Sequence, residues 1–103
     1  MNKTLKVSIP HRLSRQEAQE RLRGGVADFQ KQYAGKFGQF NDQWAGDRMN
    51  FTLTAFGQSV TGRVDVTDSA VDLEVDLPWI FAMLADKIRG QVQQAGTKLL
   101  EKK

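Results

Sequence analysis

Three stretches of strict two-residue alternation between Met49 and Leu77 constrain the fold of this chain more than any other feature. Apolar residues alternate there with Asn, Thr, Ser, Arg, Asp and Glu, and turn signals at Gly57-Gln58 and Asp68-Ser69 separate the stretches. Successive side chains of a strand point to opposite faces of a sheet, so each stretch predicts a strand with one apolar face. A two-residue turn with Gly57 at positive φ joins antiparallel neighbours, and the pattern predicts an antiparallel meander.

The preceding segments extend this sheet. Residues 4–9 alternate in the same way and predict a first strand that ends at Pro10. Residues 40–45 predict a short strand before the turn signal Gly46-Asp47. The expected sheet therefore has five strands.

A first amphipathic helix follows the first strand. Ser14 and Glu17 have the spacing of a capping box at its start. Apolar residues then recur every three or four positions, which is typical of one helix face. This face comprises Ala18, Leu22, Val26, Phe29 and Tyr33. Gly25 lies on it, which predicts close packing against another element, with a kink as the alternative.

A second helix follows the last strand. Pro78 stops that strand and suits a first helical turn, and the helix is expected to reach about Leu100. Its apolar face comprises Phe81, Leu84, Ala85, Ile88, Val92, Ala95 and Leu99. The predicted order is β-α-β-β-β-β-α, an α+β fold in which both helices pack on one face of the antiparallel sheet. At 103 residues, the chain is expected to form a single domain, residues 1–103.

Few residues are of the types that catalyse reactions or bind metal ions. The chain has no cysteine, which excludes disulfides and thiolate catalysis, and its lone His11 is expected at the surface without a second histidine for zinc. Asp72, Glu74 and Asp76 share one strand face. They are interpreted as a solvated acidic surface, with a hard-cation site as the alternative. We therefore predict no catalytic residue, no enzyme activity, no cofactor and no metal site.

The composition also limits the possible binding partners and the cellular location of the protein. The longest apolar run, residues 78–85, is far shorter than the roughly 20 residues of a bilayer span, so we predict no transmembrane segment and a cytoplasmic protein. The polar sheet face is acidic and offers only Phe56 as an aromatic, which argues against nucleic acid. The alternative is that nucleic acid binds the basic first helix through Arg12, Arg15, Arg21, Arg23 and Lys31.

The candidate binding site lies at the start of the second helix. Trp79, Ile80 and Met83 make its first turns apolar all round, and Lys87 and Arg89 follow in the polar rim. The predicted patch comprises Trp79, Ile80, Met83 and Lys87. The alternative is that Trp79 covers the end of the sheet or the loop around Phe37. A separate aromatic residue, Trp44, is expected in the core or at its rim.

The order of several segments resembles a known family. The segments are residues 14–21, 44–47, Gly57 with 60–66, and 71–78 followed by Lys87-Ile88. Together they resemble the polyhydroxyalkanoic acid system family, also described as polyhydroxyalkanoate granule region proteins. The resemblance implies a link with granule formation in polyester-storing bacteria, and no catalytic residue carries over from it.

The resulting hypothesis is a non-enzymatic accessory protein of polyhydroxyalkanoate storage. The predicted patch would bind the granule surface or a granule-associated protein, so storage granules are the candidate location within the cytoplasm. A homodimer through the patch or a free sheet edge is a further expectation. The alternative function is a small helix-grip-like binder of a lipid or hydroxyacyl ligand, with room provided by Gly25, Gly62 and Gly90.

Overall fold

The computed structural model describes residues 3–33, 38–55 and 57–101. The elements are β1 (Lys3–Pro10), α1 (Arg15–Tyr33), β2 (Gly38–Ala45), β3 (Arg48–Ala55), β4 (Gln58–Val66), β5 (Ala70–Leu77), a 3₁₀ helix (Trp79–Leu84) and α2 (Ala85–Leu99). The predicted α+β fold and its element order are confirmed.

The five strands form one antiparallel sheet in the order β1-β5-β4-β3-β2. One row across the sheet pairs Val7 with Leu73, Leu73 with Val64, Val64 with Met49, and Met49 with Trp44. The adjacent row is polar throughout and comprises Lys6, Glu74, Arg63, Asn50 and Gln43. The alternation in sequence therefore becomes one apolar and one polar face, as predicted.

Both helices cover the apolar face. α2 packs against β1, whereas α1 packs against β2 and β4. The helices meet where Gly25 of α1 faces Leu99 of α2, and a Cβ on Gly25 would lie 2.9 Å from Leu99 Cδ2. The predicted close packing at Gly25 is confirmed. Gly96 has a similar role, because a Cβ there would overlap Ile9 Cδ1 of β1.

The capping of α1 agrees with the prediction from sequence, whereas Phe29 departs from the predicted apolar face. The Glu17 amide donates to Ser14 Oγ at 3.1 Å, which satisfies one of the unpaired donors at the start of the helix. Phe29 was expected in the core, yet it is 42% exposed. Its ring meets Phe40 of β2 edge to face, with 5.3 Å between centroids, so Phe29 closes the rim of the core.

The second helix does not begin as an α-helix. Pro78 is extended (φ −57°, ψ 153°), and the Phe81 amide donates to its carbonyl at 2.9 Å in an i to i+3 bond. Residues 79–84 keep this 3₁₀ geometry, and α geometry starts only at Ala85. The predicted continuous α-helix is therefore wrong over its first six residues. Leu84, expected on the buried face, is exposed.

The turns largely follow the predicted glycines. Gly46 in the β2–β3 turn has a φ of +63°, and Gly57 has a φ of +76°. Ala55 pairs with Gln58, so Gln58 belongs to β4 and the predicted Gly57-Gln58 turn is one residue too late. Phe56 and the loop around Phe37 lie outside the described residues.

His11 is buried and not at the surface, with 8% of its area exposed. The Leu13 amide lies 3.1 Å from Nδ1, and Nε2 lies 2.9 Å from the Thr67 carbonyl oxygen. These contacts fit a ring that accepts at Nδ1 and donates at Nε2. The expected surface position is wrong because the ring ties the β1–α1 junction to the β4–β5 turn, where both nitrogens are satisfied.

Candidate binding surface

The 3₁₀ helix carries the most exposed of the large apolar side chains among the described residues. Met83 is 93% exposed, Trp79 is 69% exposed, and Ile80 and Leu84 are each 49% exposed. These four residues are called the apolar patch below. Residues three apart are eclipsed in a 3₁₀ helix, so Ile80 and Met83 share one row along the helix. Phe81 belongs to another row and packs against the core.

Buried residues hold the apolar patch at both ends. Leu77, at the end of β5, and Ala85, at the start of α2, are both buried, and Phe81 anchors the segment between them. The chain is thus fixed before, within and after the exposed side chains. The apolar patch is presented from an anchored segment of the fold.

The structure places the predicted patch residues as follows. Trp79, Ile80 and Met83 are exposed, and Lys87 is exposed in the first turn of α2. The exposure of Trp79 is at odds with the alternative that it covers the end of the sheet. Sequence reasoning missed Leu84, because the α-helical period assigned it to the buried face. In the structure, Leu84 is the last residue of the 3₁₀ helix and is exposed.

Trp44 contrasts with Trp79. It is partly buried against the core, as expected, and the guanidinium carbon of Arg23 lies 4.3 Å from its ring centroid. This cation–π contact joins α1 to β2. The two tryptophans therefore have separate roles, one in packing and one at the surface.

Ion pairs close the opposite end of the sheet. Arg15 at the start of α1 reaches Asp47 in the β2–β3 turn at 2.9 Å and Asp68 in the β4–β5 turn at 3.0 Å. Gln19 adds a bond of 2.7 Å to the Asp47 carboxylate. The hydrogen bonds that Arg15 donates to Asp68 and to Asp47 raise its pKa, so Arg15 remains charged. Two of the segments that carry the family resemblance, residues 14–21 and 44–47, thus contact each other.

Arg63 neutralises part of the acidic strand face. Its guanidinium lies 3.4 Å from Glu74 and 3.2 Å from Asp76, and Thr4 Oγ1 donates to Asp76 at 3.0 Å. The hydrogen bond from Arg63, followed by that from Thr4, lowers the pKa of Asp76. The expected solvated acidic surface is present at exposed Asp72, whereas Glu74 and Asp76 are only partly exposed and paired. Within the described residues, no group of three or more His, Asp or Glu side chains could hold a metal ion.

The three glycines expected to leave room for a ligand do not do so. Leu99 occupies the space beside Gly25, and the Phe51 ring occupies the space beside Gly62. A Cβ on Gly62 would also lie 2.6 Å from the Glu74 carbonyl oxygen. Gly90 is exposed, and a Cβ there would have nothing within 4 Å, so it faces open solvent. The expectation that these glycines open an internal space is wrong.

The cations of α1 are largely engaged within the protein. Arg15 is ion-paired, Arg23 covers Trp44, and Arg21 donates to the carbonyls of Leu99 at 3.3 Å and of Glu101. Arg21 thereby satisfies carbonyls at the end of α2. This use of three arginines argues against nucleic-acid binding through them, whereas Arg12 and Lys31, the other two cations of that alternative, are exposed.

The fold and the surface define a small α+β protein with an exposed apolar patch, and nothing in the described residues points to catalysis. No helix in the described ranges combines the length and apolar character needed to cross a membrane. Comparison with protein families matches residues 5–100 to the family described as "Putative polyhydroxyalkanoic acid system protein". The chain belongs to this family. Neither the curated proteins nor the solved structures contain a match to it.

Proposed function

We propose that this chain is a non-enzymatic accessory protein of polyhydroxyalkanoate storage that binds the granule surface or a granule-associated protein. The observation that carries the proposal is the exposure of Met83 and Trp79, at 93% and 69%, in a member of this family. Contiguous exposed apolar side chains on a soluble domain mark interaction sites. Polyester is apolar, and the apolar patch offers it a matching surface.

The expected affinity is modest. Full transfer of one large apolar side chain out of water contributes about 1.5–3 kcal/mol. Part of this is offset by the loss of translational and rotational freedom on binding. A single apolar patch therefore supports weak attachment, and a granule surface that offers many sites retains the protein by repeated rebinding.

The test is the double variant Trp79→Ala, Met83→Ala. We expect it to lose co-sedimentation with isolated granules, because the apolar area that contacts the granule is removed. Both residues are exposed, so the melting temperature is expected to stay within about 2 °C of the parent protein. The matched control is Gln93→Ala, Gln94→Ala, at two exposed positions of α2. Retained co-sedimentation of the Trp79, Met83 variant, or its unfolding, would contradict the proposal.

The proposal has further parts. It treats residues 1–103 as one domain that acts in the cytoplasm, at storage granules, without a cofactor, a nucleic acid or a catalytic step. It includes pairing of two copies, supported by the self-complementary character of an apolar patch and by the two sheet edges, β1 and β2. Sedimentation equilibrium over a range of concentrations measures this pairing directly.

A further inference from the structure

Two cations follow the apolar patch on α2. Lys87 and Arg89 are both exposed and lie in the first turns of the helix, shortly after Leu84. Asp86 lies in the same turn, so this segment has an excess of one positive charge. Within the ranges that the structure describes, neither Lys87 nor Arg89 forms an ion pair. Both are available to an external anion.

The ion-paired arginines lie elsewhere. Arg15 pairs with acids at the turns, and Arg48 and Arg63 pair with acids on the polar face of the sheet. Four of the five acids in segment 58–77 pair with these arginines, whereas Asp72 accepts a hydrogen bond from Ser8 Oγ. No such internal compensation reaches Lys87 or Arg89 within the described residues.

The combination of groups at this surface matches a particular partner. A neutral polyester would contact the apolar patch but would give the two cations no counter-charge. A layer of anionic amphiphiles accommodates both, because tryptophan and methionine enter the acyl region while lysine and arginine extend to the headgroups. Met83 is the most exposed of the four apolar side chains and is therefore the one most accessible to such a layer.

We propose that the apolar patch, together with Lys87 and Arg89, docks on a lipid surface that carries anionic headgroups. This inference rests on the proposed function, since it assigns the chemistry of the surface to which the same patch binds. The apolar patch supplies attachment, and the two cations select anionic over neutral lipid. A pocket on a partner protein and bare polymer are the competing partners that the experiment separates.

Trp79 can report on its own insertion. The chain has two tryptophans, so Trp44→Phe leaves Trp79 as the single tryptophan emitter. This variant is titrated with vesicles of phosphatidylcholine alone and with vesicles that contain phosphatidylglycerol. We expect a blue shift of emission with the anionic vesicles and little change with the neutral ones. Bromine atoms on the acyl chains of the anionic vesicles are expected to quench the shifted emission.

A charge-matched pair of variants tests the two cations. In the same background, Lys87→Gln, Arg89→Gln is compared with Arg12→Gln, Lys98→Gln. Each pair removes two positive charges, but Arg12 follows β1 and Lys98 lies in the last turn of α2, far along the helix from the apolar patch. The first pair is expected to weaken binding to anionic vesicles about fivefold per residue, and the second pair much less.

The outcomes distinguish this inference from the function on which it rests. Equal binding to neutral and anionic vesicles would overturn the role of the cations, as would equal weakening by the two charge variants. No Trp79 signal with any vesicle, together with granule binding that still depends on Trp79 and Met83, would overturn the lipid partner but leave the proposed function standing. Granule binding that ignores Trp79 and Met83 would overturn both.

Discussion

The two ends of the sheet differ in how their side chains are used. At one end, hydrogen bonds and ion pairs join the start of α1 to the β2–β3 and β4–β5 turns. At the other end, four apolar side chains of the 3₁₀ helix are exposed to solvent. The first end contains buried His11, bonded to Thr67 and Leu13, and Arg15, paired with two carboxylates. The second end contains the apolar patch, whose most exposed side chain is Met83. The polar side chains at the first end are bonded within the protein, whereas the apolar side chains at the second end are exposed and available for contact with a partner.

The comparison shows how a small domain can separate stability from binding. Groups with defined partners at the turn end fix the geometry of the fold. Exposed apolar side chains at the patch end contribute little to that geometry, since water surrounds them in the free protein. Substitutions at the turn end should therefore change the free energy of unfolding, and substitutions at the patch end should change attachment.

The largest expected effect on stability is that of His11→Ala. The substitution removes a buried ring and leaves the Leu13 amide and the Thr67 carbonyl without their partner. We expect a loss of about 2–4 kcal/mol in the free energy of unfolding, measured by urea denaturation. The neighbouring exposed Arg12→Ala is the control, with a change expected within about 0.5 kcal/mol. Similar losses of unfolding free energy for His11→Ala and Arg12→Ala would contradict the role assigned to the buried hydrogen bonds of His11 in stabilising the turn end.

A pair of glycine substitutions in α2 sharpens the comparison within one helix. Gly90→Ala, toward the patch end, meets nothing within 4 Å and should stabilise the protein by up to about 1 kcal/mol. Gly96→Ala gains the same helix propensity, but its Cβ must displace the Ile9 side chain. This displacement is expected to lower the free energy of unfolding by about 1–3 kcal/mol. Thermal unfolding should therefore rank Gly90→Ala above the parent and Gly96→Ala below Gly90→Ala. Equal stabilisation by both would show that α2 does not depend on contact with β1 at this point.

The smallest effect is expected from Asp76 on the polar face, because ion pairs at a solvated surface stabilise little. Arg63 and then Thr4 lower the pKa of Asp76 below its ordinary value of 3.8. The associated stabilisation is present above the pKa of the unfolded chain and is lost as the pH falls through the lower pKa of the folded state. Asp76→Asn should therefore reduce the loss of stability on acidification below about pH 4.

The cause of that pH effect can be isolated with a second variant. In an Arg63→Gln background, Asp76→Asn should change the acid dependence less, because the main group that lowers the pKa has been removed. Urea unfolding at a series of pH values measures both differences. An unchanged effect in the Arg63→Gln background would assign the shift to another group.

The sheet could be predicted from sequence because its determinants are local. Alternation from Met49 to Leu77 marks three strands and their apolar face without reference to distant residues. The turn glycines are equally local, and the remaining error was a single residue at Gln58. Prediction failed where the partner is remote. His11 bonds to Thr67, 56 positions away, and the role of Gly96 depends on Ile9 in the first strand.

The apolar patch was predictable in part for a related reason. Apolar residues on every side of a short helical segment cannot all be buried against one sheet, which pointed to Trp79, Ile80 and Met83. The transition from 3₁₀ to α geometry at Ala85 was not predictable from the helical period, and neither was the exposure of Leu84.

The pairing of the first strand with the last has a consequence for biosynthesis. Thr4 of β1 bonds to Asp76 of β5, which lies 72 positions later in the chain. During translation, β1 is therefore synthesised long before its partner strand β5. During that interval, Leu5, Val7 and Ile9 of β1 have no partner strand. The strands β2 to β5, by contrast, are neighbours in sequence and can pair as successive hairpins. The apolar side chains of β1 therefore remain a site of possible aggregation in the nascent polypeptide until β5 has been synthesised.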